Sequence, residues 1–219
     1  MKYQIVDHTT DLKVGDFVIV KGKWAEIYCI TEDNGINTSQ GWTCRSELEN
    51  QNMKPNFDNT KPIVFLDIDG VLNSADYAIN RKNKEKHSHE DQIDERAVGF
   101  LNEIADWNFV LSSSWRRFMS LDDVNKLLQK KGFKGQILDK TPCLDHPNLR
   151  GNEIYSWVHS HIMNASDFDN YVIFDDDSDV LYWQKDNFII VDGYFGIGPN
   201  HIYRAKRLLS NAKPYTFIP

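Results

Sequence analysis

A chain of 219 residues, 41% hydrophobic and 26% charged, has an ordinary soluble globular composition, with room for one well-buried domain or a medium domain plus a small one. Its net charge of −7 lacks the basic footprint of a general nucleic-acid binder, and its longest apolar runs, IVFL (63–66) and FIIV (188–191), are far too short to span a membrane. Three scattered cysteines (Cys29, Cys44, Cys143) form no Cys-x-x-Cys pair, and the N-terminus shows no basic-then-apolar leader, so the expected location is cytoplasmic, without disulfides or zinc.

In chain order, DFVIV (16–20) and the alternating WAEIYCI (24–30) read as strands. TEDNG (31–35) is a hairpin turn, and INTSQGWTC (36–44) offers two more short strands around Gly41. Five short strands in so little chain predict a small SH3-like β-barrel over residues 1–55. The polar, proline-bearing stretch around 50–62 reads as a linker, placed at 56–61, before a second domain over 62–219.

From Lys61 the pattern changes. PIVFL (62–66) is a short continuous apolar run, as for a strand buried on both faces. Helical spacing follows over 93–107, then a buried strand NFVLSS (108–113) and a helix over 121–133. A helix over 151–162, strands YVIFD (171–175) and NFIIVD (187–192), and a helix over 201–212 complete the series. Strands alternating with helices predict an α/β fold, a doubly wound parallel sheet.

Ligands bind beyond the carboxyl ends of such strands. Three strand ends here are rich in polar groups: FLDIDGVLN (65–73), VLSSSWR (110–116) and VIFDDDSD (172–179). Carboxylates gathered after buried strands are electrostatically costly unless a cation neutralises them. Asp67 with Asp175 or Asp176 supplies the oxygen ligands a hard cation takes. The acidic runs thus explain part of the negative net charge and leave a phosphorylated substrate open.

This set resembles the haloacid dehalogenase-like (HAD) phosphatase superfamily over about residues 62–212. Asp67, Asp69 and Gly70 match its Asp-x-Asp-Gly motif, Ser112 or Ser113 its strand-terminal hydroxyl, Arg150 in NLRGNEI its cation, and Asp175 and Asp176 its paired acids. The resemblance implies a HAD-like Rossmannoid sheet and a Mg2+-dependent phosphomonoesterase with an aspartyl-phosphate intermediate. Asp67 would be the nucleophile, and Asp69 would protonate the leaving oxygen and then activate water. The metal would be held by Asp67, Asp175, Asp176 and the carbonyl of Asp69. Gly70 would let the chain turn beside the phosphate, while Ser112, Ser113 and Arg150 would hold its oxygens. Trp115 and Arg116, followed by Arg117, could form a stacking and phosphate platform, with helix-start packing an equal reading.

Plainer readings stand beside these. The Asp-Gly pair could cap a turn, DDDSD could be a solvated loop, and the serines could bond locally. Lys131, Lys134 and Lys140 rival Arg150, and His87 and His89 read as part of a solvated loop.

About thirty-five residues separate Leu72 from the second strand, and about as many separate Trp115 from Arg150, so neither gap holds a cap domain. A small flap at 74–92 is the most that fits. Within the family an open site implies macromolecular substrates. SSSWR (112–116), RGNEIYSWV (150–158) and FDDDSDVLYW (174–183) resemble the phosphatase domains of polynucleotide kinase–phosphatases and RNA-repair proteins. No G-x-x-x-x-G-K-[ST] loop accompanies them, so no kinase half is expected. The expected substrate is a phosphorylated nucleic-acid end; a free nucleotide or other small ester, or a catalytically silent binding module, are the alternatives. The barrel is a candidate module for nucleic acid, through Trp24, Tyr28, Trp42 and Arg45, or for protein. Residues 1–60 carry six basic and nine acidic side chains, which argues against strong phosphate binding there.

Overall fold

The computed structural model describes residues 57–80, 88–144, 149–210 and 213–218 in full, and four strands between residues 17 and 44 by their backbone. The chain divides into two compact units, Met1–Pro55 and Asn56–Pro219. In the first, β1 (Phe17–Val20), β2 (Lys23–Ile30), β3 (Gly35–Thr38) and β4 (Gly41–Cys44) pair in sequence order, each antiparallel to the next. Among the described residues there are four strands where five were expected, and closure into an SH3-like barrel is not shown. The side chains of Trp24, Tyr28, Trp42 and Arg45 lie outside the described residues.

The second unit is built on a five-stranded sheet of β5 (Ile63–Leu66), β6 (Asn108–Leu111), β7 (Ile137–Lys140), β8 (Tyr171–Asp175) and β9 (Phe188–Ile190). Its order is β7-β6-β5-β8-β9 and every pair is parallel. The sequence expectation held four of these strands. β7 escapes it because only Ile137 of its four residues is buried, leaving no apolar run to read.

Alternating side chains divide the sheet into two faces. Val64, Leu66, Phe109, Leu111, Val172 and Phe174 join one core, against α3 (Glu95–Leu101), α4 (Leu121–Lys130) and α6 (Pro199–Leu208). Ile63, Phe65, Val110, Tyr171 and Ile173 join the other, against α5 (Arg150–His161). The helix expected over 93–107 passes into a 3-10 turn at Asn102, whose side chain donates to the Gly132 carbonyl (2.9 Å) and accepts from the Lys134 amide (2.8 Å). Shorter helices α1 (Ala75–Asn80) and α2 (His89–Gln92) occupy the described ends of the segment expected as a flap.

Residues 57–61 of the expected linker are packed onto this unit. Phe57 stacks on Phe217 and meets Trp157 edge-on, while Asn108 Nδ2 donates to the Asp58 and Lys61 carbonyls. No helix among the described residues is long and apolar enough to cross a membrane.

The chain builds outward from β5 through β6 to β7, then returns to place β8 on β5's other side. The reversal opens a crevice at the carboxyl ends of β5 and β8, and Asp67 and Asp175 lie at those ends.

Candidate active site

Register brings the first three groups together. Leu66 pairs with Leu111 and with Phe174, so Asp67, Ser112 and Asp175 follow at one level of three adjacent strands. By alternation all three continue the face of Phe65, Val110 and Ile173, toward α5, whose first residue is Arg150. The Arg150 guanidinium lies 3.7 Å from Asp67 Oδ1, 3.3 Å from Asp175 Oδ2 and 3.8 Å from Glu153 Oε2.

This end of α5 is fixed by the acidic run itself. Leu149 offers no side-chain cap; instead Asp179 Oδ2 accepts from the Arg150 amide (2.8 Å) and the Asp179 carbonyl from the Gly151 amide (3.1 Å). Asp179 thus satisfies two unpaired helix donors, one through its carboxylate and one through its carbonyl, and the carboxylate complements the helix dipole. DDDSD thus serves two purposes, with Asp175 and Asp176 facing the crevice and Asp179 seating the helix that carries Arg150.

Asp67 and Asp175 are 3% and 1% exposed. Burial, then the charge of Asp175, pushes Asp67 up to about 8, against the opposing pull of Arg150, the Ser113 hydroxyl and the Ile68 amide. Burial likewise pushes Asp175 up to about 6, opposed by the Asp177 amide and Arg150. Six buried side-chain polar atoms among the described residues lack a hydrogen-bond partner, and four of them meet here: Asp67 Oδ1, Ser112 Oγ, Arg150 Nε and Asp175 Oδ2. One guanidinium therefore leaves the two carboxylates short of positive charge and of donors.

Asp67, Asp175 and Asp176 offer carboxylate oxygens within 4.8 Å of one another, a donor set that suits a hard divalent cation. The two unsatisfied carboxylate oxygens fit that reading. Asp176 is held beside them by two close backbone approaches. A Cβ on Gly70, whose φ is +68°, would fall 2.1 Å from Asp176 Oδ2, and one on Gly193 would fall 2.5 Å from it. Gly70 is thus demanded twice, by its left-handed backbone and by the Asp176 carboxylate.

Asp69 occupies a different setting, exposed and carrying three side-chain donors. Trp115 Nε1 reaches Oδ1 at 2.9 Å, Asn73 Nδ2 reaches Oδ1 at 2.7 Å, and Ser114 Oγ reaches Oδ2 at 3.0 Å. The side chain of Asp69 is outside the carboxylate trio, yet near enough that, after burial and the charge of Asp177, its charge helps push Asp176 up. Asn73 also accepts from the Gly70 amide at 2.8 Å, tying the turn together.

Two residues expected to meet substrate are turned inward. Trp115 is 2% exposed and spends its indole N–H on Asp69. Arg116 is 4% exposed, ion-paired with Glu153 and donating to the carbonyls of Ser113, Thr141 and Pro142. A buried guanidinium needs this full complement of acceptors, so Arg116 is committed to the protein. Ser113 is also buried; its hydroxyl faces Asp67 and accepts weakly from the Trp115 amide at 3.5 Å. Ser112 keeps an uncommitted hydroxyl at the level of Asp67.

Sequence reasoning did not find Asp179, Glu153, Gly193, Asn73 or Ser114. Asp179, Ser114 and Asn73 lie within the quoted runs and carried a signal, Asn73 bonding Asp69 and Gly70 within four residues; Glu153 and Gly193 are defined by contacts distant in sequence. His87 lies outside the described residues. His89, assigned to a solvated loop, starts α2 and stacks on Phe118, with ring centroids 5.3 Å apart.

A family model described as the HAD domain in Swiss Army Knife RNA repair proteins matches residues 63–202. No curated protein and no solved structure matches the chain.

Proposed function

The chain belongs to the family of HAD domains in Swiss Army Knife RNA repair proteins and is a HAD-type phosphatase on that footing; from this premise we propose that it removes a terminal phosphate from a polynucleotide, with Mg2+ as cofactor. The carrying observation is the convergence of Asp67, Asp175 and Arg150 at the carboxyl ends of the two central strands. Asp67, Asp175 and Asp176, with the Asp69 carbonyl, would hold the cation, which supplies positive charge to the carboxylates and the phosphate oxygens.

The chain's own residues do the rest. Asp67 forms a bond to phosphorus as the ester bond breaks, giving an aspartyl-phosphate. Asp69 gives its proton to the leaving oxygen, then takes one from the water that attacks phosphorus and frees Asp67. Three donors on Asp69 restrict it to one orientation, as a group serving two steps requires. Arg150 and the Ser112 hydroxyl hold the non-bridging oxygens as charge spreads over them. We take residues 1–55 as a separate module, for nucleic acid or protein.

The test is a screen with Mg2+ against end-phosphorylated oligonucleotides, mononucleotides and phosphopeptides. Turnover of the oligonucleotides that stops with excess chelator is expected; undiminished turnover in chelator would sink the metal-dependent reading. A second reading, a phosphatase of free nucleotides, is favoured by the net charge of −7 and predicts mononucleotides as the better substrates.

A further inference from the structure

The short turn Ser114–Arg117 and the residue after it point two ways. Ser114 and Trp115 reach Asp69, and Arg116 goes into the interior. Arg117 and Phe118 go outward. Phe118 is 58% exposed, and the exposed Arg117 side chain makes no ion pair or hydrogen bond among the described residues.

Phe118 is not alone. His89 stacks on it at an interplanar angle of 25°, and the same imidazole meets Trp115 edge-on at 5.0 Å. An unbroken series of contacts therefore runs from Asp69 through the Trp115 indole to an exposed ring pair. The acids beside His89 are engaged elsewhere: Glu90 pairs with Lys130 at 2.7 Å, and Asp91 accepts from Ser88.

We propose that this outward face seats the leaving strand, with Phe118 and His89 stacking its terminal base and Arg117 meeting the next backbone phosphate. The proposal rests on the phosphatase reading and deepens it by naming what distinguishes the substrate. An oxygen that takes its proton from Asp69 belongs to the leaving group, so the remainder of that group lies on the Asp69 side of the crevice. There a nucleoside meets the ring pair one indole away, whereas a small alkyl ester is too short to reach it. A flat π surface next to an uncommitted guanidinium matches a base followed by a phosphate. Such stacking is sequence-tolerant, as repair of arbitrary ends requires.

The experiment compares kcat/KM for a short single-stranded phosphorylated oligonucleotide, the matching mononucleotide and glycerol phosphate. Phe118→Ala should lower the ratio of oligonucleotide to glycerol phosphate roughly tenfold, the loss expected for one base–aromatic stack, and Phe118→Trp should retain it. Arg117→Gln should lower oligonucleotide turnover relative to the mononucleotide and flatten its salt dependence. An unchanged ratio in Phe118→Ala, or equal slowing on all three esters, overturns the stacking seat. Arg117→Gln without effect on the oligonucleotide-to-mononucleotide ratio overturns the phosphate contact. A wild-type protein that hydrolyses none of the three overturns the phosphatase reading itself, a result separate from either.

Discussion

The two sides of the crevice solve opposite problems. On the α5 side, Asp67 and Asp175 are buried, raised in pKa and left with unsatisfied oxygens beside a single guanidinium. On the other side, Asp69 is exposed and already carries three side-chain donors. The first arrangement is poised for added positive charge, because low dielectric makes each missing counter-charge costly. The second needs none; its three donors fix the direction of the group to which the proposed reaction gives the proton transfers. In the proposed reaction, these surroundings are what would separate a nucleophile and metal ligand from an acid–base group of the same chemical type.

The largest test of that contrast exchanges charge for amide on each side. Asp67→Asn should abolish turnover, whereas Asp69→Asn should slow it by roughly 10²–10⁴-fold, the range of a general acid–base group. Near-wild-type kcat in Asp69→Asn would erase the distinction.

Next in size is the buried pair supporting the α5 side. Arg116→Ala leaves Glu153 buried with only the more distant Arg150 as a cationic partner, and should cost about 3–5 kcal/mol in denaturant unfolding. A loss under about 1 kcal/mol would place Arg116 among exposed ion pairs instead.

Trp115→Phe keeps most of the buried ring and removes one donor to Asp69. A hydrogen bond to a charged group contributes about 1.5–3 kcal/mol, so kcat should fall by roughly ten- to a hundredfold with KM little changed. A rise in KM at constant kcat would instead assign Trp115 to binding.

The smallest effect is on stability against pH. Asp67 and Asp175 are raised in the folded state, so they favour folding fully below about pH 4, and that contribution is lost as pH rises through about 6 and about 8. In chelator the melting temperature should therefore drift downward across this window. Mg2+, which binds the ionised carboxylates, should restore more at pH 8 than at pH 5. A Mg2+ increment independent of pH would show that these carboxylates do not carry the linkage.

Much of the second unit was legible because its signals are local. Four of five sheet strands show as short apolar runs; burial on both faces requires such runs of the central strands β5, β6 and β8, and the edge strand β9 shows one by its FII composition alone. Asp67, Asp69 and Gly70 stand together in sequence, as do Asp175 and Asp176, so those groupings needed no fold. The edge strand β7 was invisible because three of its four residues are only half-buried.

What the sequence by itself determined was the kind of chemistry and which short segments carry it. Tertiary structure decided how those segments divide the work. Register alone set Asp67, Ser112 and Asp175 on one face. Chain return brought Asp179 to the start of α5 and Gly193 against Asp176. Within SSSWRRF (112–118), residues next to each other in sequence diverge: Trp115 and Arg116 turn in, Arg117 and Phe118 turn out. A turn of about three residues rotates each side chain by roughly a third of a circle, and only the surrounding packing fixes which one meets the core.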